Sequence, residues 1–155
     1  MELRYAALED RDVVDIMLQE YLREMSAVYG GAPDENGRFP YPYLPLYFTE
    51  KDRHILWFEE NDQPVGFAFV NTHSFVPEPI DQALAEFSIF PWCRGCGLGR
   101  KAVDTLLAAI PGVWQLKYSP RNTAGAALWR KVTEAYHGTE YPLEGGEIAV
   151  VLRMG

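Results

Sequence analysis

The sequence predicts an α/β (α+β) fold: a single domain over residues 1–155, with a mixed central β-sheet flanked by helices. Three observations carry this prediction. Apolar segments of strand-like and helix-like period follow one another in the order β, α, irregular segment, β-hairpin, β, α, β, α, β. A chain of 155 residues suits one hydrophobic core. Apolar residues make up 48% of it, enough to fill that core and to argue against global disorder.

Glu2–Ala7 reads as the first strand. Asp10 is placed to cap a helix over Arg11–Tyr29, where Val14, Met17, Leu18, Tyr21, Met25 and Val28 follow helical spacing. Gly30-Gly31-Ala32-Pro33 ends it. Residues 30–48 are irregular and rich in aromatics (Phe39, Tyr41, Tyr43, Tyr47, Phe48). Such a stretch reads equally as a binding wall or as a loop pinned to the core. His54–Glu59 and Val65–Thr72 read as a hairpin across the polar turn Glu60–Pro64. Ala83–Phe90 is a third long strand, ended by Pro91, which has no N–H to donate. Val103, Leu106, Leu107 and Ile110 give helical spacing from Gly97 to about Ala109. Val113–Tyr118 is a strand, Asn122 caps a helix running to about Val132, and Ile148–Arg153 closes the sheet.

The charge is uneven. The net charge is −8, and residues 1–92 hold 17 acidic against 6 basic side chains. Residues 93–131 hold Arg94, Arg100, Lys101, Lys117, Arg121, Arg130 and Lys131 against Asp104 alone. A basic segment in an acidic chain suggests an anionic ligand there, though chance clustering on solvated helix faces is an even alternative. The acidic remainder argues against nucleic acid. No apolar run approaches the roughly 20 residues needed to cross a bilayer, so no membrane partner is expected. The N-terminal stretch lacks an apolar signal core, and a cytoplasmic location is expected. Two cysteines do not suggest a disulfide framework. No metal site is expected, because no second Cys/His pair stands at ligand spacing.

Chemistry concentrates where the strand ending at Phe90 meets the loop Arg94-Gly95-Cys96-Gly97-Leu98-Gly99-Arg100 and the following helix. Glycine lets backbone N–H groups approach a ligand closely, and a helix N-terminus adds unpaired N–H groups and a positive dipole end. With Arg94, Arg100 and Lys101 nearby, a pyrophosphate fits this site. A Walker-type phosphate loop is excluded because no Gly-Lys-Ser/Thr follows. The dinucleotide fingerprint is excluded by glycine spacing.

Arg94-x-x-Gly97-x-Gly99 resembles the Arg/Gln-x-x-Gly-x-Gly/Ala signature of the GNAT superfamily of N-acetyltransferases. Phe87-Ser88-Ile89-Phe90-Pro91 before it is similar to the family's fourth strand. Asn122 and Leu128-Trp129-Arg130-Lys131 are similar to the family's Asn and Leu-Tyr-x-Lys. The resemblance spans essentially the whole chain, most specifically residues 85–131. It implies a GNAT-like fold and an acetyl-CoA-dependent N-acetyltransferase. Ser88 and Ile89 would lie along the pantetheine arm. Arg94, Gly95, Cys96, Gly97, Leu98, Gly99 and Arg100 would hold the pyrophosphate. Asn122 and Trp129 would contact the cofactor arm.

Trp129 departs from the family, which often has there the tyrosine taken as the general acid. An indole N–H donates a hydrogen bond but supplies no proton at ordinary pH. Either Tyr118 takes that role or none is needed, since a thiol of pKa about 8.5 is a fair leaving group. Glu86 is the candidate general base; it reads equally as a solvent-facing strand glutamate. His54 and His73 read as structural or surface residues. Tyr21, Glu24, Tyr43 and Tyr47 are candidate acceptor-wall residues.

The expected partner is a small-molecule or peptide amine, and a homodimer is left open. Two alternatives stand beside this reading. Trp92-Cys93-Arg94-Gly95-Cys96 has the form of a thioredoxin-like redox site. A non-catalytic CoA-binding relative would bind the cofactor and transfer nothing.

Overall fold

The computed structural model describes residues 1–155. It contains strands β1 (Glu2–Tyr5), β2 (His54–Glu60), β3 (Gln63–Asn71), β4 (Gln82–Ile89), β5 (Gly112–Tyr118), β6 (Thr139–Pro142) and β7 (Ile148–Met154). The helices are α1 (Arg11–Tyr29), α2 (Leu98–Ala109) and α3 (Thr123–Ala135). One seven-stranded mixed sheet runs in the order β1-β2-β3-β4-β5-β7-β6. Only β4 and β5 pair in parallel. The mixed sheet and flanking helices agree with the fold class read from the sequence.

Alternating side chains divide the core between the two faces of the sheet. Leu56, Phe58, Ala68, Val70, Leu84, Trp114 and Leu116 pack with Ala102, Val103 and Leu106 of α2 and Ala126, Trp129 and Val132 of α3. On the other face Ile55, Trp57, Phe67 and Phe69 pack with Val14 and Leu18 of α1 and with Leu44 and Tyr47. The irregular segment is thus pinned, through a 3-10 turn at Leu44–Phe48. Gln19 of α1 holds it further: its amide donates to the Phe39 carbonyl at 2.8 Å and accepts the Phe39 N–H at 2.7 Å.

Several boundaries differ from expectation. β1 stops at Tyr5 because a 3-10 turn at Leu8–Asp10 leads directly into α1. Asp10 therefore does not cap α1 through its side chain. Its carboxylate instead accepts the Ala7 N–H at 2.8 Å and Arg4 Nη1 at 3.2 Å. The hairpin turn tightens to Asn61 and Asp62, both at left-handed φ of 52° and 63°. Two such residues match the twist of the flanking strands. β6 was not expected at all.

One irregularity shapes the molecule. Phe69 of β3 pairs with Glu86, but the next residue, Val70, pairs with Leu84, leaving Ala85 as an extra residue in β4. Such a bulge bends and twists its strand. β4 pairs with β5 only over Gln82–Leu84, against Trp114–Leu116. Beyond the bulge the two strands separate.

Candidate active site

The gap between the separated strands is the mouth of a cavity of about 470 Å³. Ser88 and Ile89 of β4, Tyr118 of β5, and Asn122 and Trp129 at α3 line it. Arg94, Gly95, Gly97, Leu98 and Gly99 close one end. Cys96 and Arg100, read with them from the sequence, do not line it. Asn122 caps α3 by accepting the Gly125 N–H at 3.2 Å. Trp129 packs edge-on against Phe87, with ring centroids 5.2 Å apart.

The glycine loop is built for an anion by its backbone. Gly95 and Gly97 hold φ of 86° and 79°, a region costly to residues with a Cβ. The N–H groups from Gly95 through Arg100 have no acceptor within the chain. A Cβ on Gly95 or Gly97 would meet no atom of the protein within 4 Å, so packing does not demand these glycines. Their open face and free N–H groups fit a pyrophosphate.

The neighbouring cations behave differently from the sequence expectation, because each is already paired. Arg94 Nη1 and Nη2 grip Glu24 of α1 at 2.6 and 2.8 Å, and its Nε donates to the Ile89 carbonyl at 2.7 Å. Arg100 pairs with Asp104 at 2.9 Å, and Lys101 pairs with Glu60. The attraction for an anion therefore comes mainly from N–H groups and the helix dipole. Glu24, read as an acceptor-wall residue, is the anchor for Arg94.

Glu86 lies on the α1 side of the sheet, half-buried. Its carboxylate accepts O–H donors from Tyr21 at 3.1 Å and Tyr41 at 2.9 Å. Burial pushes its pKa up, against a downward pull from the two hydroxyls and Lys117. It lines a second cavity of about 480 Å³, together with Met25, Tyr29, Phe39, Pro40, Lys117 and Glu147. Tyr21, Met25, Tyr29, Ala85 and Lys117 belong to both cavities, which therefore meet beside the bulge. Burial likewise raises Tyr118, which feels Glu140 and Arg130.

Sequence reasoning missed Tyr41, Lys117 and Glu147 as site residues. Tyr41 was visible only as one aromatic among five, and its partner lies 45 residues away. Other candidates fall outside the two cavities. The Tyr47 hydroxyl accepts Asn71 Nδ2 at 2.9 Å, and Tyr43 stacks under Arg53. His54 packs edge-on against Tyr5, and His73 Nε2 stands 3.0 Å from Arg53 Nη2. Cys93 and Cys96 are free thiols. Cys93 packs into both cores, and Cys96 donates to the Cys93 carbonyl at 3.2 Å. Helix α2 begins at Leu98, so neither cysteine occupies its first turn. No helix is long and apolar enough to cross a membrane.

Comparison with known proteins agrees with this architecture. The model of the acetyltransferase (GNAT) family matches residues 14–134. A GNAT-family acetyltransferase from Streptococcus agalactiae has a similar structure, with a TM-score of 0.70 at 16% identity, covering 99% of this chain and 95% of that one. A Corynebacterium glutamicum structure described as histone acetyltransferase HPA2 and related acetyltransferase gives 0.68 at 14%, covering 99% and 96%. The PaiA N-acetyltransferase of Thermoplasma acidophilum, in complex with coenzyme A, gives 0.60 at 14%, covering 98% of each. No protein of curated function matches the chain. The family model spans most of the chain, including the glycine loop and all three helices in whole or part: this protein belongs to the GNAT acetyltransferase family.

Proposed function

We propose that this protein transfers the acetyl group of acetyl-CoA to a primary amine, with Glu86 as the general base. Acetyl-CoA is the family's acyl donor and supplies the activated acyl group. The observation that carries the reading is the place of Glu86. A half-buried carboxylate with a raised pKa, held by two tyrosine hydroxyls, stands where a groove with an anion cradle meets a second cavity. A base of raised pKa is matched to accepting a proton near neutral pH.

In this reading the Gly95–Arg100 amides hold the pyrophosphate, and the edges of Ser88, Ile89, Asn122 and Trp129 guide the arm toward the bulge. The Phe87 N–H lies on the edge of β4 away from β3, which β5 does not cover there. There it is available to a carbonyl oxygen whose negative charge grows as the amine attacks. Glu86 takes the proton lost by the amine nitrogen, directly or through a water, as the new C–N bond forms. Tyr118 gives a proton to the departing sulfur as the C–S bond breaks; Trp129 has none to give.

The test is acetyl-CoA consumption against a panel of amines, read by free-thiol release, beside calorimetry with acetyl-CoA. Binding together with amine-dependent thiol release is expected. Binding without release for any amine would leave a CoA-binding protein and sink the transferase reading.

A further inference from the structure

The charges around Glu86 narrow the class of amine. We propose that the acceptor is a monoamine: one ammonium on an apolar or aromatic body, with no carboxylate and no second cation. This rests on the transferase reading above and goes beyond it.

The charged side chains lining the second cavity are Glu86, Glu147 and Lys117. Lys117 is committed. Its Nζ stands 3.8 Å from Glu147 Oε1 and 3.9 Å from the centroid of the Phe75 ring. The Lys117–Glu147 pair leaves Glu86 as the one charge in the cavity that no fixed cation grips. A single ammonium balances it. Leu22, Met25, Tyr29, Phe39 and Pro40 give the remaining wall an apolar and aromatic side, with Ser26, Gly30 and Gly31 completing it. That surface suits the hydrocarbon part of an amine.

The same wall disfavours other acceptors. A carboxylate beside the reacting amine would face Glu86 and Glu147, with the one lining cation already engaged. Like charges brought together in a confined site cost several kcal/mol. A second ammonium would find only Glu147, already paired with Lys117 at 3.8 Å, and would have to compete with that lysine. Glu24 cannot serve, since Arg94 holds both its oxygens. Arg121 acts on the Tyr29 hydroxyl but does not line the cavity, so it offers no counter-charge inside for a carboxylate.

The experiment compares kcat/KM for 2-phenylethylamine, phenylalaninamide, phenylalanine and spermidine, read by thiol release. Phenylalaninamide keeps the bulk of phenylalanine and removes its negative charge. 2-Phenylethylamine and phenylalaninamide are expected to exceed phenylalanine by at least about tenfold. Spermidine is expected to fall below both. Two variants then separate charge from structure. Glu147→Gln releases Lys117 and is expected to shrink the preference for the amide over phenylalanine. Lys117→Met is expected to widen it. General damage to the wall would not move one ratio in opposite directions. Preferred use of phenylalanine or spermidine, or a shift of the ratio the same way in both variants, overturns this proposal while leaving the transferase reading intact. Thiol release with none of the four, but with a different amino acid or polyamine, also overturns it; release with no amine at all overturns both.

Discussion

Replacing Tyr41 with phenylalanine removes one of the two O–H donors on Glu86 and leaves the ring and its packing in place. The lost bond is 2.9 Å long and ends on a carboxylate. Hydrogen bonds to charged groups are worth about 1.5–3 kcal/mol, and one pH unit corresponds to about 1.4 kcal/mol. Because the site is half-buried and water reaches it, the lower end applies, a shift of about one pH unit. The direction follows from the donor's role. A hydroxyl that donates to the carboxylate stabilises the ionised form and lowers its pKa. Losing it raises the Glu86 pKa further, so the acid limb of kcat/KM moves to higher pH. The assay is thiol release at subsaturating amine from pH 5 to about 9, with enzyme and variant on the same amine. Titration of the amine itself is then common to both profiles and cancels in their ratio. A limb that stays in place or moves to lower pH would refute the idea that Tyr41 holds the charge of a catalytic Glu86.

Three further outcomes are expected. Glu86→Gln lowers kcat/KM by about 100-fold or more and abolishes the acid limb, checked by the same thiol assay. The same variant tests stability. A carboxylate whose pKa is raised by folding binds more protons folded than unfolded, so its ionisation costs stability as pH rises from the unfolded value through the folded one. The variant should therefore gain in Tm relative to the parent at pH 7 and lose that gain near pH 4; an equal gain at both would deny the raised pKa. Gly97→Glu places a negative charge in the N–H cradle at a left-handed φ of 79°. Calorimetry should show acetyl-CoA affinity reduced at least about tenfold, with a stability loss of roughly 1–2 kcal/mol from the backbone alone. Gly66→Ala drives a Cβ into the Ser88 carbonyl oxygen across the β3–β4 pair. It should cost about 2–4 kcal/mol in urea unfolding and disturb the groove; an unaltered midpoint would mean the strands yield freely.

The strands and helices that pack the core were legible in the sequence because their apolar periods are set by burial. Val14, Leu18, Val103 and Leu106 lie where helical spacing put them. β6 was not legible: it has four residues, largely exposed, ends on Pro142, and carries no alternation. An edge strand is defined by the backbone of its partner, here Ile148–Val151, more than by its own side chains. The glycine loop announced its backbone geometry, since glycine marks places where φ turns positive. Its charges were misread in effect: Arg94, Arg100 and Lys101 are neutralised by Glu24, Asp104 and Glu60, and the Glu24 and Glu60 pairings span the fold. The environment of Glu86 was equally hidden. Tyr21 and Tyr41 reach it from a helix and an irregular segment, 65 and 45 residues away, and no local pattern encodes such a meeting.

The extra residue in β4 has a consequence beyond opening a groove. Strand side chains alternate, so a register of pairing works like a reading frame, and one inserted residue shifts the frame for everything after it. Leu84 pairs with Val70 and shares its face of the sheet; if Ala85 were paired regularly instead of bulged, Glu86 would fall opposite Ala68 and point into the α2–α3 core. With Ala85 bulged out of the ladder, Glu86 takes the frame of Phe69 and emerges among the tyrosines, while Phe87 turns inward against Phe58 and Trp129. Deleting that one small residue would remove the bend while leaving Glu86 opposite Phe69; pairing it into the ladder would instead bury the carboxylate and turn Phe87 to the α1 face.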